Sequence, residues 1–412
     1  MKPSLTLMAI FLIIGASARA QVVPAATGPG GLPISGLLHY DLRYSQTARF
    51  SSGNPGDSQM STVSGDVTYT NANARRPFAL TYSGGDTWTI SGADEGTGIY
   101  QHLLASQSLV GRSWIFNLND NVSYMPQAPT TGFSGIPGVG NLPGAPGAPA
   151  QPILTLNTRS VNNQANSSFT HSLNHATSLS LSGGYGILRF PDGNGLETNS
   201  LEAGPQITRR LNARNSIFGQ YSISHFSYVG STISMGTQSM QFGFTRTWSR
   251  RLKTSASAGP EWIQGTESAG IPSSTNLTVN ANATYAARSV TATLGYTQAA
   301  SGGAGVASQI GVHNQDAFMG LTRQQGKNLN LSVTGAYMRT KGLQQQQAGV
   351  TNSKYGEAAA TQRWGRYIVV SANYTAIQQS SSAALPSTAI SGLSQVIGFS
   401  IGYSPRETRL RK

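Results

Sequence analysis

The chain contains no cysteine, which excludes disulfide staples, thiolate catalysis and cysteine-held metal. Charge is scarce: Asp, Glu, Lys and Arg make up 10% of the residues, against roughly 25% in ordinary soluble domains. Long apolar runs are missing as well. Leu5 to Gly15 is the one conspicuous stretch, and it is shorter than the ~20 residues a spanning helix needs. The six histidines, His39, His102, His171, His175, His225 and His313, show no metal-ligand spacing. Nothing here asks for a metal or a cofactor, and the chain reads as a non-enzyme.

What is present begins with a secretory signal over 1–20. Lys2 supplies the positive end, Leu5 to Gly15 the apolar segment, and Ala18-Arg19-Ala20 a cleavage site near Ala20. Residues 21–34 are a Pro/Gly-rich lead-in, read as flexible and periplasmic. After that, 48 glycines sit among abundant Ser, Thr, Asn and Gln. A mature chain of about 390 residues would ordinarily divide into two or three domains, but no composition break separates any. One pattern runs from 35 to 404.

That pattern is alternation. In Leu38-His39-Tyr40-Asp41-Leu42-Arg43-Tyr44-Ser45, the apolar residues fall on one side of an extended strand and the polar ones on the other. The rhythm returns in Leu277, Val279, Ala281, Ala283 and Tyr285 against Asn276, Thr278, Asn280, Asn282 and Thr284. Counting recurrences gives about 18 strands. Short turns near 72–76, 110–112, 174–176, 210–214, 249–251, 286–288, 324–327 and 365–366 alternate with longer polar loops. Asp120 falls on the apolar face of its strand and breaks the pattern.

Strands heading for the long loops end in Tyr44, Tyr82, Tyr124, Tyr185, Tyr228, Trp262, Tyr296, Tyr337 and Tyr374. Several heading for the short turns end in aromatics too, Trp248, Tyr285 and Trp364 among them. Rings that are apolar in body and polar at the tip collect at membrane interfaces. The expectation is an all-β chain forming a single transmembrane antiparallel β-barrel, with short periplasmic turns and long extracellular loops. Hydrocarbon forces closure, because an unpaired backbone amide there costs several kcal/mol.

With the girdles and loop alternation established, the mature chain resembles bacterial outer-membrane β-barrel proteins of the porin type. The resemblance is architectural, and no short motif narrows it to a named family. It implies that the longest loop, 125–163, following the fifth strand, folds into the lumen, although its one charge is Arg159. It also implies residence in the outer membrane of a diderm bacterium, with outer-membrane lipid as a partner, and it leaves a homo-oligomer open. Tyr403 is followed by a basic tail, 405–412, which departs from the usual aromatic ending.

Eighteen strands enclose a lumen that side chains cannot fill. His39, Asp41, Arg43, Asp66, Glu202, Glu261, Arg339 and Glu357 are the candidate charges on its wall, among mostly neutral polar residues. Such a wall suits small hydrophilic, mostly uncharged solutes crossing by diffusion. Alternatives are a polysaccharide-export or surface-assembly barrel and a secreted adhesin. The net charge of +13 raises nucleic acid as a partner, but the arginines gather at the short turns, where anionic lipid attracts them, and no nucleic-acid module accompanies them.

Overall fold

The computed structural model describes residues 36–52, 56–71, 73–92, 97–125, 159–193, 196–266, 270–302, 310–326, 328–344, 349–382, 392–405 and 408–410. The signal segment, the lead-in, most of the 125–163 loop and part of the basic tail lie outside them. The strands are β1 (Gly36–Ser51), β2 (Ser58–Asn71), β3 (Phe78–Gly92), β4 (Gly98–Val110), β5 (Trp114–Met125) and β6 (Ser160–Ser172). They continue as β7 (Thr177–Arg189), β8 (Thr198–Arg210), β9 (Asn215–Tyr228), β10 (Ser234–Thr247), β11 (Leu252–Gly265) and β12 (Ser274–Ala286). The last are β13 (Val290–Ser301), β14 (Val312–Gln325), β15 (Leu329–Gly342), β16 (Val350–Trp364), β17 (Ile368–Ser381) and β18 (Gly392–Tyr403).

Each strand pairs antiparallel with its successor, and β18 returns to β1 with Tyr44 opposite Ile401. The result is a closed 18-strand antiparallel barrel. A three-residue β19 (Thr408–Leu410) adds to the start of β1, so the basic tail contributes a strand that the sequence did not announce. The ladder lapses at Pro205 in β8 and Pro260 in β11, where the missing N–H cannot donate.

Alternation fixes the two faces. Leu42, Phe242 and Leu294 point outward and stand 59%, 61% and 58% exposed. A belt of large apolar side chains around the whole barrel would drive aggregation in water; in hydrocarbon it is the favourable surface. Asp120 does face outward, and the Asn163 side-chain amide on the next strand donates to its Oδ1 at 3.0 Å.

The girdle residues Tyr44, Tyr82, Trp262, Tyr337, Tyr374, Trp248, Tyr285 and Trp364 are outward and exposed, and Tyr124, Tyr185 and Tyr296 share the outward parity. Trp114 and Tyr367 join the short-turn belt. There Tyr403 stacks on Tyr367 with ring centroids 5.7 Å apart, and the Arg246 guanidinium lies 3.8 Å over the Trp248 ring. Tyr228 does not belong to the girdle. It pairs across from Thr198 on the lumen parity and is buried.

Candidate channel lumen

The inner wall is built from every second residue, mostly hydroxyls and amides bonded across strands. Thr62 and Thr87 hydroxyls lie 3.0 Å apart, Ser222 and Ser239 2.7 Å, and Asn117 donates to Ser168 at 3.1 Å. Lumen-facing aromatics lie over glycines of the adjacent strand: Tyr100 over Gly85, Phe218 over Gly243, Phe318 over Gly295. A Cβ on Gly85 would stand 2.8 Å from the Tyr100 ring and hydroxyl. Glycine here is what lets the ring lie flat on the wall.

Charge is concentrated on β1 and β2. His39, Asp41, Arg43 and Arg49 all face inward on β1, with His39 Nε2 3.3 Å from Asp41 Oδ1. Asp41 sits directly opposite Asp66 on β2, and the row continues through Ser83 to His102. The His102 ring nitrogen Nε2 is 2.8 Å from Asn121 Oδ1. Two carboxylates directly across a strand pair repel, and Arg43, one step along the same face, offsets them. Glu202 on β8, Glu261 on β11 and Glu357 on β16 also take the lumen parity, with the Tyr355 hydroxyl hydrogen-bonded to Glu357. Asp316 on β14 joins them, accepting from the Thr297 hydroxyl at 3.4 Å. Away from the turns, the lumen cations among the described residues are thus on β1, while carboxylates recur around the circumference.

Arg339 is not part of this wall. It shares the parity of outward Tyr337, pairs with Gln315 and Asn352, and is exposed on the outer surface. Most of the turn arginines stand at the short-turn rim as expected. Arg288 and Arg363 border a cleft of about 500 Å³ at that end, between β13 and β17.

The long-loop mouth holds something the polar alternation does not suggest. Met235, Ile263 and Ile271 are buried together, with Phe226, Ile233, Ala300, Ile310 and Leu343 packed against them. The Tyr228 hydroxyl donates to the Gly302 carbonyl at 2.5 Å and accepts from the Gly311 amide at 3.1 Å. One side chain from β9 thereby ties the ends of β13 and β14. Gly311 has φ 68°, a conformation that favours glycine. Tyr228→Phe removes this bridge and leaves the Gly311 amide only its longer 3.3 Å bond to the Gly302 carbonyl. It should lower stability by about 1 kcal/mol, read as a lower denaturant midpoint in micelles; an unchanged midpoint would show the hydroxyl to be idle.

Beneath this cluster the β12–β13 ladder begins only at Val279 opposite Gln298. Above that pair, side chains replace backbone. Gln298 Nε2 donates to Leu277 O at 3.0 Å, Thr278 Oγ1 donates to Gln298 O at 3.0 Å, and Glu261 Oε2 accepts the Ala300 amide at 3.0 Å.

The letters Gly398-Phe399-Ser400-Ile401-Gly402 spell a nucleophile-elbow pattern. All five lie within extended β18, where the Ser400 and Ser371 hydroxyls are 2.6 Å apart. The strand–turn–helix that pattern requires is not what this segment forms.

No family model matches the chain, and no curated protein matches it. Among solved structures it is similar to OccK2 (OpdF) of Pseudomonas aeruginosa at 11% identity, covering 91% of this chain and 98% of that one, with a TM-score of 0.47. It is also similar to OccK9 (OpdG) of Pseudomonas aeruginosa, at 10% identity, 90% and 98% coverage and a TM-score of 0.46. OccAB3 of Acinetobacter baumannii gives the same four figures as OccK9. What the wall can do is read from its own residues.

Proposed function

We propose that the chain is an outer-membrane channel through which small hydrophilic, mostly uncharged solutes diffuse. The observation that carries this reading is the two-faced wall: a mainly apolar exterior around an interior of mostly Ser, Thr, Asn and Gln. Eighteen strands about 4.8 Å apart and tilted ~40° give a backbone diameter of roughly 35 Å, more than inward side chains span. Hydroxyl and amide linings exchange hydrogen bonds with a passing polar solute and cost it little desolvation. Swelling of liposomes containing the protein tests this directly. Neutral sugars should enter, and exclusion of all small sugars would defeat the proposal.

Among ions, the carboxylates around the lumen outnumber Arg43 and Arg49, so the channel should favour cations modestly. Asp41 and Asp66 stand directly opposite one another on the inner wall. Asp41→Asn combined with Asp66→Asn should shift the reversal potential in a salt gradient toward anions. An unchanged reversal potential would place the ion path elsewhere.

A further inference from the structure

The outward face of β15 and β16 carries three cations just beyond the aromatic girdle. Tyr337 sits opposite Lys354, Arg339 lies two residues farther toward the long loops, and Lys341 two farther again. All three are exposed. Residues two apart on a strand are ~6.6 Å from each other, and diagonal cross-strand neighbours such as Arg339 and Lys354 are ~7–8 Å apart. Their long side chains can therefore reach one anionic group. None touches a carboxylate among the described residues. Outward positions on β13 to β17 hold no Asp or Glu, since Asp316 and Glu357 face the lumen.

What flanks the cations is neutral and able to donate. Gln315 and Asn352 bracket Arg339 on either side, and Gln378 lies opposite Lys354. The Asn352 carbonyl is held by the Tyr337 hydroxyl at 3.0 Å, which leaves its amide nitrogen free to turn outward. His313 lies opposite Lys341. Height decides the partner. Tyr296, Tyr337 and Tyr374 mark the edge of the hydrocarbon on this sector, and the headgroup layer extends only ~5–8 Å beyond it. Arg339 and Lys354 stand within that layer, on a rigid strand pair, facing lipid.

We propose that Arg339, Lys341 and Lys354 form a binding site for the phosphate groups of an anionic lipid in the leaflet on the long-loop side. The proposal rests on the membrane reading of the apolar exterior but not on what passes through the lumen. It also gives a reason for Arg339 to sit outside the pore: a guanidinium matches phosphate oxygens two at a time.

The test uses the full mature protein in micelles with bisphosphorylated lipid A as probe, by native mass spectrometry and titration. The comparison is the triple variant Arg339→Gln, Lys341→Gln, Lys354→Gln, with Arg112→Gln at a short turn as control. The parent and control should retain the probe, and the triple variant should bind it at least tenfold more weakly. Dephosphorylated lipid should bind poorly to all three proteins. Equal binding by parent and triple variant, or equal binding of phosphorylated and dephosphorylated lipid, would overturn the site. Complete displacement by an equimolar amount of inorganic phosphate would overturn the lipid as its ligand. Conductance measured on the same samples should be unchanged in the triple variant, so failure of this site and failure of the channel reading are separable.

Discussion

Val279→Arg is expected to destabilise the barrel, because an outward-facing arginine costs about 2–4 kcal/mol at the midplane and less toward the interfaces. Val279 lies on the outward parity of β12, opposite Ala258 on β11. Its neighbour Asn280 is opposite Ser257 and faces the lumen. Asn280→Arg should fold as well as the parent and reduce conductance by adding bulk and charge to the pore. Unfolding midpoints in lipid, together with single-channel recordings, check both. Equal tolerance of arginine at the two positions would mean that the faces are assigned wrongly, and the outward belt would lose its meaning.

The second large effect concerns Glu261. The residue is 4% exposed, and its carboxylate accepts the Ala300 amide where the β12–β13 ladder has not yet started. Glu261→Ala leaves that half-buried N–H without this acceptor, which costs about 1 kcal/mol. Glu261→Gln keeps an oxygen of the same reach and should recover most of the loss. The loss should also appear as faster hydrogen exchange at Ala300, because the seam beside it opens first. If Glu261→Ala and Glu261→Gln prove equally stable, the amide finds another acceptor and the seam does not depend on this side chain.

Much of the wall was legible because strand periodicity in a barrel is a local property. The eighteen strands, their order, the short-turn side and the inward placement of His39, Asp41, Arg43, Asp66, Glu202, Glu261 and Glu357 all follow from alternation alone. Alternation is harder to follow at the long-loop ends. Beyond Ser45 the run Gln46-Thr47-Ala48-Arg49 no longer alternates apolar with polar, yet β1 runs to Ser51 and brings Arg49 onto the inner wall. In β3 the run Gly84-Gly85-Asp86 hides the continuation to Trp88 and Ile90, both outward and exposed.

Arg339 and Tyr228 depart from the expected wall and girdle for different physical reasons. Arg339 has the same parity as Tyr337, so the alternation itself places it outside. Tyr228 could not be placed that way, because β9 offers two apolar sets. Ile217, Tyr221 and Ile223 face outward, while Phe218, Phe226 and Tyr228 face inward. Choosing between them needs the partners: Phe218 covers Gly243, and Tyr228 meets Gly302 and Gly311 from distant strands. The mouth cluster was illegible for the same reason. Met235, Ile263 and Ile271 come together where the ends of β10 and β11 meet the connection after β11, and no local period encodes it.

The most direct measurement is single-channel recording of the purified mature chain in planar bilayers. A polar lumen enclosed by eighteen strands predicts discrete, reproducible current steps that shrink with Asn280→Arg. Protein shown to be folded and inserted, yet giving no steps across any applied voltage, would contradict it.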